Sequence, residues 1–150
     1  MAEGRQLASN HDMAFFINLE GSPQEINEAS RSELRDIGFE AMRNAFAHSM
    51  GTEIRLVISY AADALFLNIS DNGKGLDQAD ALQACAQGHV GLSCMRERVE
   101  TLKGALNIKA GPNEGTEIDV RIPARYAYLQ MKRSWSLMRI FQKFHANIVA

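Results

Sequence analysis

The chain has 150 residues, 46% of them hydrophobic and 23% charged, with a formal net charge of −2. This length suits one domain with its own core, and the acidic balance argues against a nucleic-acid-binding groove. The two cysteines are too few and wrongly spaced for a zinc site or a redox pair. No apolar run approaches the roughly 20 residues that span a bilayer. We therefore expect a cytoplasmic protein or the cytoplasmic part of a larger one.

The first predicted elements are a strand and a long helix. Alternating apolar residues from Met13 to Leu19 are typical of a strand, which Gly21-Ser22-Pro23 ends. Ser30-x-x-Glu33 has the form of a capping box and predicts the start of a helix. Gly51 is the predicted C-cap. The apolar stripe of this helix comprises Leu34, Ile37, Ala41 and Ala45.

The remaining elements predict an α+β fold. Strands around residues 54–58 and 65–69 form a hairpin through Ala61-Ala62-Asp63. A second helix begins near Leu92 and closes at Gly104, and strands 105–110 and 116–122 follow, with Pro123 ending the last. The order strand, helix, two strands, helix, two strands favours a mostly antiparallel sheet with helices on one face.

Three regions divide the chain. Residues 1–12 are a predicted linker, residues 13–123 the domain, and residues 124–150 a basic amphipathic tail that is predicted to be helical. From Arg125 onward the tail carries five basic residues and no acid, so the preceding part, with 11 basic and 18 acidic residues, has a net charge of −7. The tail apolar residues, among them Tyr128, fit either contact with a membrane surface or packing on the protein itself, and we favour packing.

One polar stripe on the first helix is a candidate metal and phosphate site. Glu40, Asn44 and His48 recur every four residues and drift only about 40° per step around the helix axis. They border the apolar stripe, where half-buried polar groups need partners. Magnesium is one such partner, because it favours oxygen ligands together with phosphates and water. Incidental polar residues on an amphipathic helix would give the same pattern.

A glycine-containing loop follows the third predicted strand. Asp71 ends that strand and opens Asp71-Asn72-Gly73-Lys74-Gly75. The glycines allow positive φ angles or close approach to a planar ligand, and an aspartate at a strand end can accept the amine hydrogen of adenine. Asp-Asn-Gly is also a common turn, so this loop alone does not identify a ligand.

Two further segments complete the candidate site. Gly88-His89-Val90-Gly91 precedes a helix, and glycine-rich helix starts offer free N–H groups to phosphates. Gly115-Thr116 places a hydroxyl at the start of the last strand. Each segment has a plain structural interpretation when taken singly. The four signals in this order predict an ATP site without a Walker loop, because no glycine run ends in Gly-Lys-Ser/Thr.

These motifs resemble those of bacterial sensor histidine kinases, within the superfamily of gyrase, heat-shock chaperone, histidine kinase and MutL ATPases. The resemblance lies in Glu40-Ala-Met-Arg-Asn44-Ala-Phe-Ala-His48, the asparagine box, and in Asp71-Asn-Gly-Lys-Gly75, the first glycine box. It continues in Gly88-His-Val-Gly-Leu-Ser-Cys-Met-Arg-Glu-Arg98, which is similar to the nitrate-sensor subfamily, and in Gly115-Thr116. It covers roughly residues 13–123.

The resemblance implies a Bergerat-type two-layer α/β sandwich that binds ATP and Mg²⁺. It implies that Asn44 coordinates magnesium, that Glu40 acts as a base or orients water, and that Asp71 binds the adenine amine. Leu76–Gln87 corresponds to the ATP lid. The other implied nucleotide-binding residues are His48 and Lys74 near phosphates or ribose, Gly73 and Gly75 at adenine, Gly88, His89, Val90, Gly91 and Leu92 at the phosphates, and Thr116 on the adenine side.

The resemblance also implies partners. Such kinases phosphorylate a histidine on a dimerisation domain and signal to a response regulator, but none of His11, His48, His89 and His145 has the expected Glu-Leu-His-Asp context. We therefore expect a histidine kinase catalytic domain that binds Mg-ATP and does not autophosphorylate alone. Cys94 stands where the subfamily usually has glycine. Two alternatives are an anti-sigma-type serine kinase and a degenerate docking module.

Overall fold

Five strands form one mixed sheet in the computed structural model, which describes residues 13–75 and 90–129. The strands lie in the order β1-β2-β3-β5-β4; β1 and β2 are parallel, and the other neighbouring pairs are antiparallel. This arrangement confirms the predicted α+β fold. In chain order the elements are β1 (Ala14–Gly21), α1 (Glu28–His48), β2 (Glu53–Tyr60), β3 (Ala64–Asp71), α2 (Val90–Thr101), β4 (Ala105–Gly111), β5 (Gly115–Pro123) and α3 (Ala124–Ala127).

The core lies between the helices and one face of the sheet. Antiparallel pairing of β3 with β5 places Leu65 opposite Ile122 and Leu67 opposite Val120, so apolar side chains alternate onto the helix side. Ile37 of α1 and Met95 of α2 are fully buried against them. Burial of each such side chain stabilises the fold by about 1.5–3 kcal/mol. The predicted apolar stripe of the first helix is thus confirmed as its core face.

The opposite face of the sheet carries polar groups that pair across strands. Asn68 on β3 donates to Glu117 and Asp119 on β5, at 2.9 and 2.6 Å. Lys109 on β4 donates to the same two carboxylates at 3.1 and 3.3 Å. These pairs satisfy one another on an open sheet face, since cross-strand opposite charges attract.

The first helix begins earlier than the capping-box prediction, which was wrong. Asn27 is the N-cap, and its side chain accepts the N–H of Ser30 at 2.9 Å. Ser30 is buried inside the helix, where its hydroxyl donates to the Tyr126 carbonyl at 2.6 Å. Asparagine and serine are equally good caps in isolation. Because the Tyr126 carbonyl, at the C-terminal end of the domain, binds the Ser30 hydroxyl, Asn27 rather than Ser30 is the cap.

The predicted C-cap of the first helix was also wrong. The helix ends at His48, with Ser49 as its C-cap, and Met50 adopts the positive φ of 54°. Gly51 is required for close approach instead, because a Cβ there would lie 2.7 Å from the Asn72 side-chain oxygen and 2.8 Å from the Gly73 nitrogen.

The second helix closes with a Schellman motif. The N–H of Gly104 donates to the main-chain carbonyl of Val99, and the N–H of Lys103 donates to the main-chain carbonyl of Glu100, both at 2.9 Å. Lys103 has a φ of 53° and takes the left-handed position that glycine usually fills. The predicted end of the helix therefore falls in the right place, although the left-handed residue is Lys103 rather than Gly104.

The packed region continues beyond Pro123. Ala127 and Tyr128 are buried in the core, and the Tyr128 hydroxyl lies 3.0 Å from the carbonyls of Ala61 and Ala64. Tyr128 also forms a β-bridge with Ile26. The part of the predicted tail from Ala124 to Leu129 thus belongs to the domain surface and core, whereas residues 130–150, like the predicted linker 1–12, lie outside the described residues.

Candidate nucleotide-binding site

The asparagine-box helix presents three polar side chains toward one end of the domain. Glu40 and Asn44 are half-buried, and His48 is exposed at the last position of α1. Glu40 pairs with Arg43 at 3.2 Å. Among the described residues, the side chain of Asn44 makes no hydrogen bond, so its carboxamide oxygen is available to a ligand.

The start of the second helix lies beside this polar stripe. The Glu40 carboxylate occupies the space that a side chain on Gly91 would fill, since a Cβ there would overlap Oε1. Leu92, the next residue, is half-buried and packs against the core. Val90 begins the helix, and Gly88 and His89 lie outside the described residues. The asparagine box and the start of α2 are 51 positions apart in the sequence, counted from Glu40 to Gly91, and they meet in the structure through these two residues.

The contact joins the middle of α1 to the first turn of α2. Because the first N–H groups of a helix have no partner within it, this turn can donate to an anionic group.

The glycine-containing loop after β3 is held from two sides. The N–H of Lys74 donates to the Ser49 carbonyl at the end of α1, and the N–H of Asn113 donates to the Lys74 carbonyl, both at 2.7 Å. Gly73 is buried directly against Ser49. Gly75 has a φ of 69° and lies against the carbonyl of Gly111, where a Cβ would overlap it. The Lys74 side chain is exposed.

Asp71 lies at the end of β3, opposite Thr116 of β5. Its carboxylate accepts the N–H of Gly73 at 2.8 Å. Burial raises the pKa of the Asp71 carboxyl above its ordinary value, and hydrogen bonds from Gly73 and Thr116 offset part of that rise. Gly115, with a φ of 74°, lies so close that a Cβ would overlap the Asp71 carbonyl. The half-buried carboxylate and the Thr116 hydroxyl therefore share one site.

Two residues that the sequence interpretation did not single out hold this loop in place. The Asn72 side-chain oxygen accepts the N–H groups of Thr52 and Glu53, each at 2.9 Å, and its amide donates to the Thr52 hydroxyl at 3.0 Å. Ser49 supplies the main-chain carbonyl that accepts the N–H of Lys74. Asn72 lay within the recognised motif, and the tendency of asparagine to bond nearby main chain was the available signal.

The structure thus brings six of the predicted site residues into two adjoining groups. Glu40 and Gly91 meet on the helix side, and Asp71, Gly73, Gly75 and Thr116 meet at the β3–β5 end. The end of α1 joins the groups through Ser49. The predicted ATP lid, Leu76–Gln87, lies outside the described residues. Within residues 13–75 and 90–129, no helix is long and apolar enough to cross a membrane.

Solved structures share this fold. The histidine kinase domain of the blue-light activated histidine kinase from Erythrobacter litoralis superposes with a TM-score of 0.66 at 20% identity, covering 80% of this chain and 57% of that one. The histidine kinase AdeS of Acinetobacter baumannii gives a TM-score of 0.65 at 15% identity, covering 81% of this chain and 59% of that one.

Curated relatives are similar in sequence over part of their length. The signal transduction histidine-protein kinase/phosphatase DegS of Brevibacillus brevis is 38% identical over 84 residues, which are 56% of this chain and 21% of DegS. The sensor protein VraS of Staphylococcus haemolyticus is 36% identical over 84 residues, again 56% of this chain and 23% of VraS. The matched region is therefore less than a quarter of either relative.

A family model matches residues 29–126, which include all but the first residue of α1, the loop after β3, α2 and the last two strands. That span holds all four motifs around which the site is built. The chain therefore belongs to the histidine kinase-, DNA gyrase B- and HSP90-like ATPase family.

Proposed function

We propose that this chain is the catalytic ATP-binding domain of a sensor histidine kinase in two-component signalling. The observation that carries the proposal is that the four motif segments lie in two adjoining pairs, Glu40 against Gly91 and Asp71 beside Thr116, which are joined through Ser49. The relatives named as a histidine-protein kinase/phosphatase, DegS, and as a sensor protein, VraS, support this choice within the family.

The adenine end of the site is assigned to the β3–β5 group. Asp71 accepts the exocyclic amine hydrogen of adenine, which distinguishes adenine from guanine. Gly73 and Gly75 shape this end of the site by letting the loop pack closely against Ser49 and Gly111, and Thr116 supports the adenine side. A half-buried carboxylate already held by the N–H of Gly73 needs little rearrangement to accept a further donor, so the binding geometry is preorganised.

The phosphate end is assigned to the helix group. The segment Gly88–Leu92 donates main-chain N–H groups to the phosphates at the start of α2. His48 and Lys74, both exposed, lie on the ribose or phosphate side. No cluster of three or more His, Cys, Asp or Glu side chains in the described parts of the chain is arranged to hold a metal. The carboxamide oxygen of Asn44 suits magnesium, which commonly takes few protein ligands together with phosphates and water.

The chemistry assigned to these residues is positioning and charge neutralisation. Asn44 would hold a magnesium ion together with the phosphates, and the ion would supply positive charge that neutralises the phosphate oxygens. A histidine nitrogen of the dimerisation domain attacks the γ-phosphorus, the bond from that phosphorus to the β,γ-bridging oxygen breaks, and ADP leaves. Glu40 accepts the proton of the attacking histidine or orients that ring. The phosphohistidine then supplies a response regulator.

The location follows from the same proposal. ATP and response regulators are available in the cytoplasm, so we place the domain there, either alone or as part of a membrane-bound sensor. Contact of residues 130–150 with the membrane surface remains an unfavoured prediction, and packing on the protein is the preferred one.

Binding and phosphorylation separate the proposed function from its alternatives. Calorimetry with a non-hydrolysable ATP analogue, with and without magnesium, is expected to show magnesium-dependent binding, whereas a docking module shows none. With γ-labelled ATP, the chain alone is expected to stay unlabelled, and adding the dimerisation domain of a related kinase yields acid-labile label on that domain. Acid-stable label on a protein partner would instead favour the serine kinase.

A further inference from the structure

A second contact between the two long helices lies two turns away from Glu40. Arg98 on α2 donates to Glu33 on α1 at 2.7 Å and pairs with Asp36 at 3.1 Å. In the part of the chain that the structure describes, these are the ion pairs that join α1 to α2. All three side chains are partly exposed, so water weakens each pair.

The two contacts together define how the helices align. Glu33 precedes Glu40 by seven residues on α1, and Gly91 precedes Arg98 by seven residues on α2. Seven residues rise about 10.5 Å along a helix, so the spacings match. Arg98 contacts the earlier part of α1 and Gly91 contacts the later part, so the two helices run antiparallel. The Arg98 contact and the Gly91 contact are compatible with the same register of α2 along α1.

We propose that Arg98 is a positioning residue that holds the first turn of α2 against Glu40. One guanidinium binds two carboxylates four and seven residues before Glu40, so a slide or rotation of α2 breaks both pairs at once. The same slide removes Gly91 from the Glu40 carboxylate, which fits there only because Gly91 has no side chain.

The consequence for nucleotide rests on the proposed function. The start of α2 is assigned to the phosphates, whereas Asp71 and its loop are held by Ser49 and the β4–β5 turn rather than by α2. Loss of Arg98 is therefore expected to weaken binding of phosphates and to leave binding of adenosine unchanged. A residue that only stabilises the fold is expected to affect binding of phosphates and binding of adenosine equally.

The register can be tested without nucleotide. In amide NMR spectra of the full chain, Glu40→Gln is expected to shift the Gly91 signal, and this response should be smaller in an Arg98→Gln background. Arg96→Gln is the matched control, because Arg96 is exposed on the same helix and carries the same charge. An equal Gly91 response with and without Arg98 would overturn the proposal, as would an equal reduction by Arg96→Gln.

Calorimetry tests the consequence for ligand. Arg98→Gln is expected to weaken binding of the magnesium complex of a non-hydrolysable ATP analogue by about fivefold, the lower end of couplings between sites. Adenosine affinity should not change, and Arg98→Lys should restore part of the loss. Equal losses for both ligands would overturn the assignment of Arg98 to positioning. Failure of the unmodified chain to bind the analogue contradicts the proposed function, while the NMR result still decides the register.

Milder variants cover the case in which Arg98→Gln does not fold. Glu33→Gln and Asp36→Asn each remove one of the two carboxylates and leave the other paired. Each should reduce the Gly91 response to Glu40→Gln, and the double substitution should reduce it most. An undiminished response in the double variant would overturn the proposal.

Discussion

Gly73 lies so close to Ser49 that a Cβ on Gly73 would overlap the Ser49 main chain. Ser49 caps α1, the helix of Glu40 and Asn44, and Gly73 follows Asp71 by two residues. The N–H of Lys74 also donates to the Ser49 carbonyl at 2.7 Å. The proposed phosphate and adenine ends of the site are therefore joined through one tight main-chain contact.

Asp71→Asn is expected to stabilise the nucleotide-free protein at neutral pH. Burial raises the pKa of the Asp71 carboxyl, so the folded state favours its protonated form and the ionised form costs stability. Stability from this group is present below its ordinary pKa and is lost as pH rises through the raised folded value. The gain in Tm should therefore grow as pH rises above about pH 4, the ordinary range of an aspartate carboxyl.

The same substitution should weaken ATP-analogue binding, because a carboxamide accepts the adenine amine less strongly than a carboxylate. Thermal unfolding across the pH range and calorimetry at pH 7 measure the two effects. A lower Tm for Asp71→Asn at neutral pH would show that the hydrogen bonds to the ionised carboxylate outweigh its burial.

Glu40→Gln should reduce phosphoryl transfer to a supplied dimerisation domain by at least about 100-fold, the usual contribution of a general base. Nucleotide affinity and Tm should change little, because glutamine has the size of the half-buried glutamate and the Arg43 partner of Glu40 is largely exposed. Glu28→Gln is the matched control, since Glu28 forms a pair of the same spacing with Arg31 on the same helix. Equal transfer rates in the two variants would exclude Glu40 from the chemistry.

Gly115→Ala should destabilise the domain by at least about 2 kcal/mol. The φ of 74° disfavours alanine, and its Cβ would overlap the Asp71 carbonyl, which is fixed in the sheet. Gly38→Ala is the control, because a Cβ there meets nothing within 4 Å and alanine is favoured in a helix by about 1 kcal/mol. Denaturant unfolding should show a lower free energy of unfolding for Gly115→Ala and a higher one for Gly38→Ala. Similar free energies of unfolding for the two variants would contradict this prediction.

Truncation tests where the domain ends. A chain ending at Pro123 loses the buried Ala127 and Tyr128, together with the Tyr126 carbonyl that accepts from the buried Ser30. It should be less stable than a chain ending at Leu129 by at least about 3 kcal/mol, from lost apolar burial and an unpaired buried hydroxyl. Equal Tm values for the two truncated chains would place the boundary at Pro123.

Much of the fold could be predicted because its signals are local. Alternation along residues 54–58 and 65–69 predicted the central hairpin, and the stripe through Ile37, Ala41 and Ala45 predicted the buried face of α1. The site motifs could be located for a related reason, since each stands at an element boundary. Their roles toward ATP remain proposals.

The errors occurred where distant residues decide a local choice. Serine and asparagine compete equally as helix caps, and Asn27 wins because Ser30 bonds to Tyr126, 96 positions away. Gly51 was taken for a left-handed cap, but its lack of a side chain serves the approach of the loop at Asn72. Neither partner is visible in the local sequence.

The sequence by itself determined the elements, their order and the motif set, because side-chain periodicity of two or 3.6 residues follows from backbone geometry. Only the tertiary structure decided that Arg98 meets Glu33 across 65 positions and that Glu40 lies against Gly91. Those contacts depend on how two helices pack on one sheet, and packing is set by the sum of many contacts that no short segment contains.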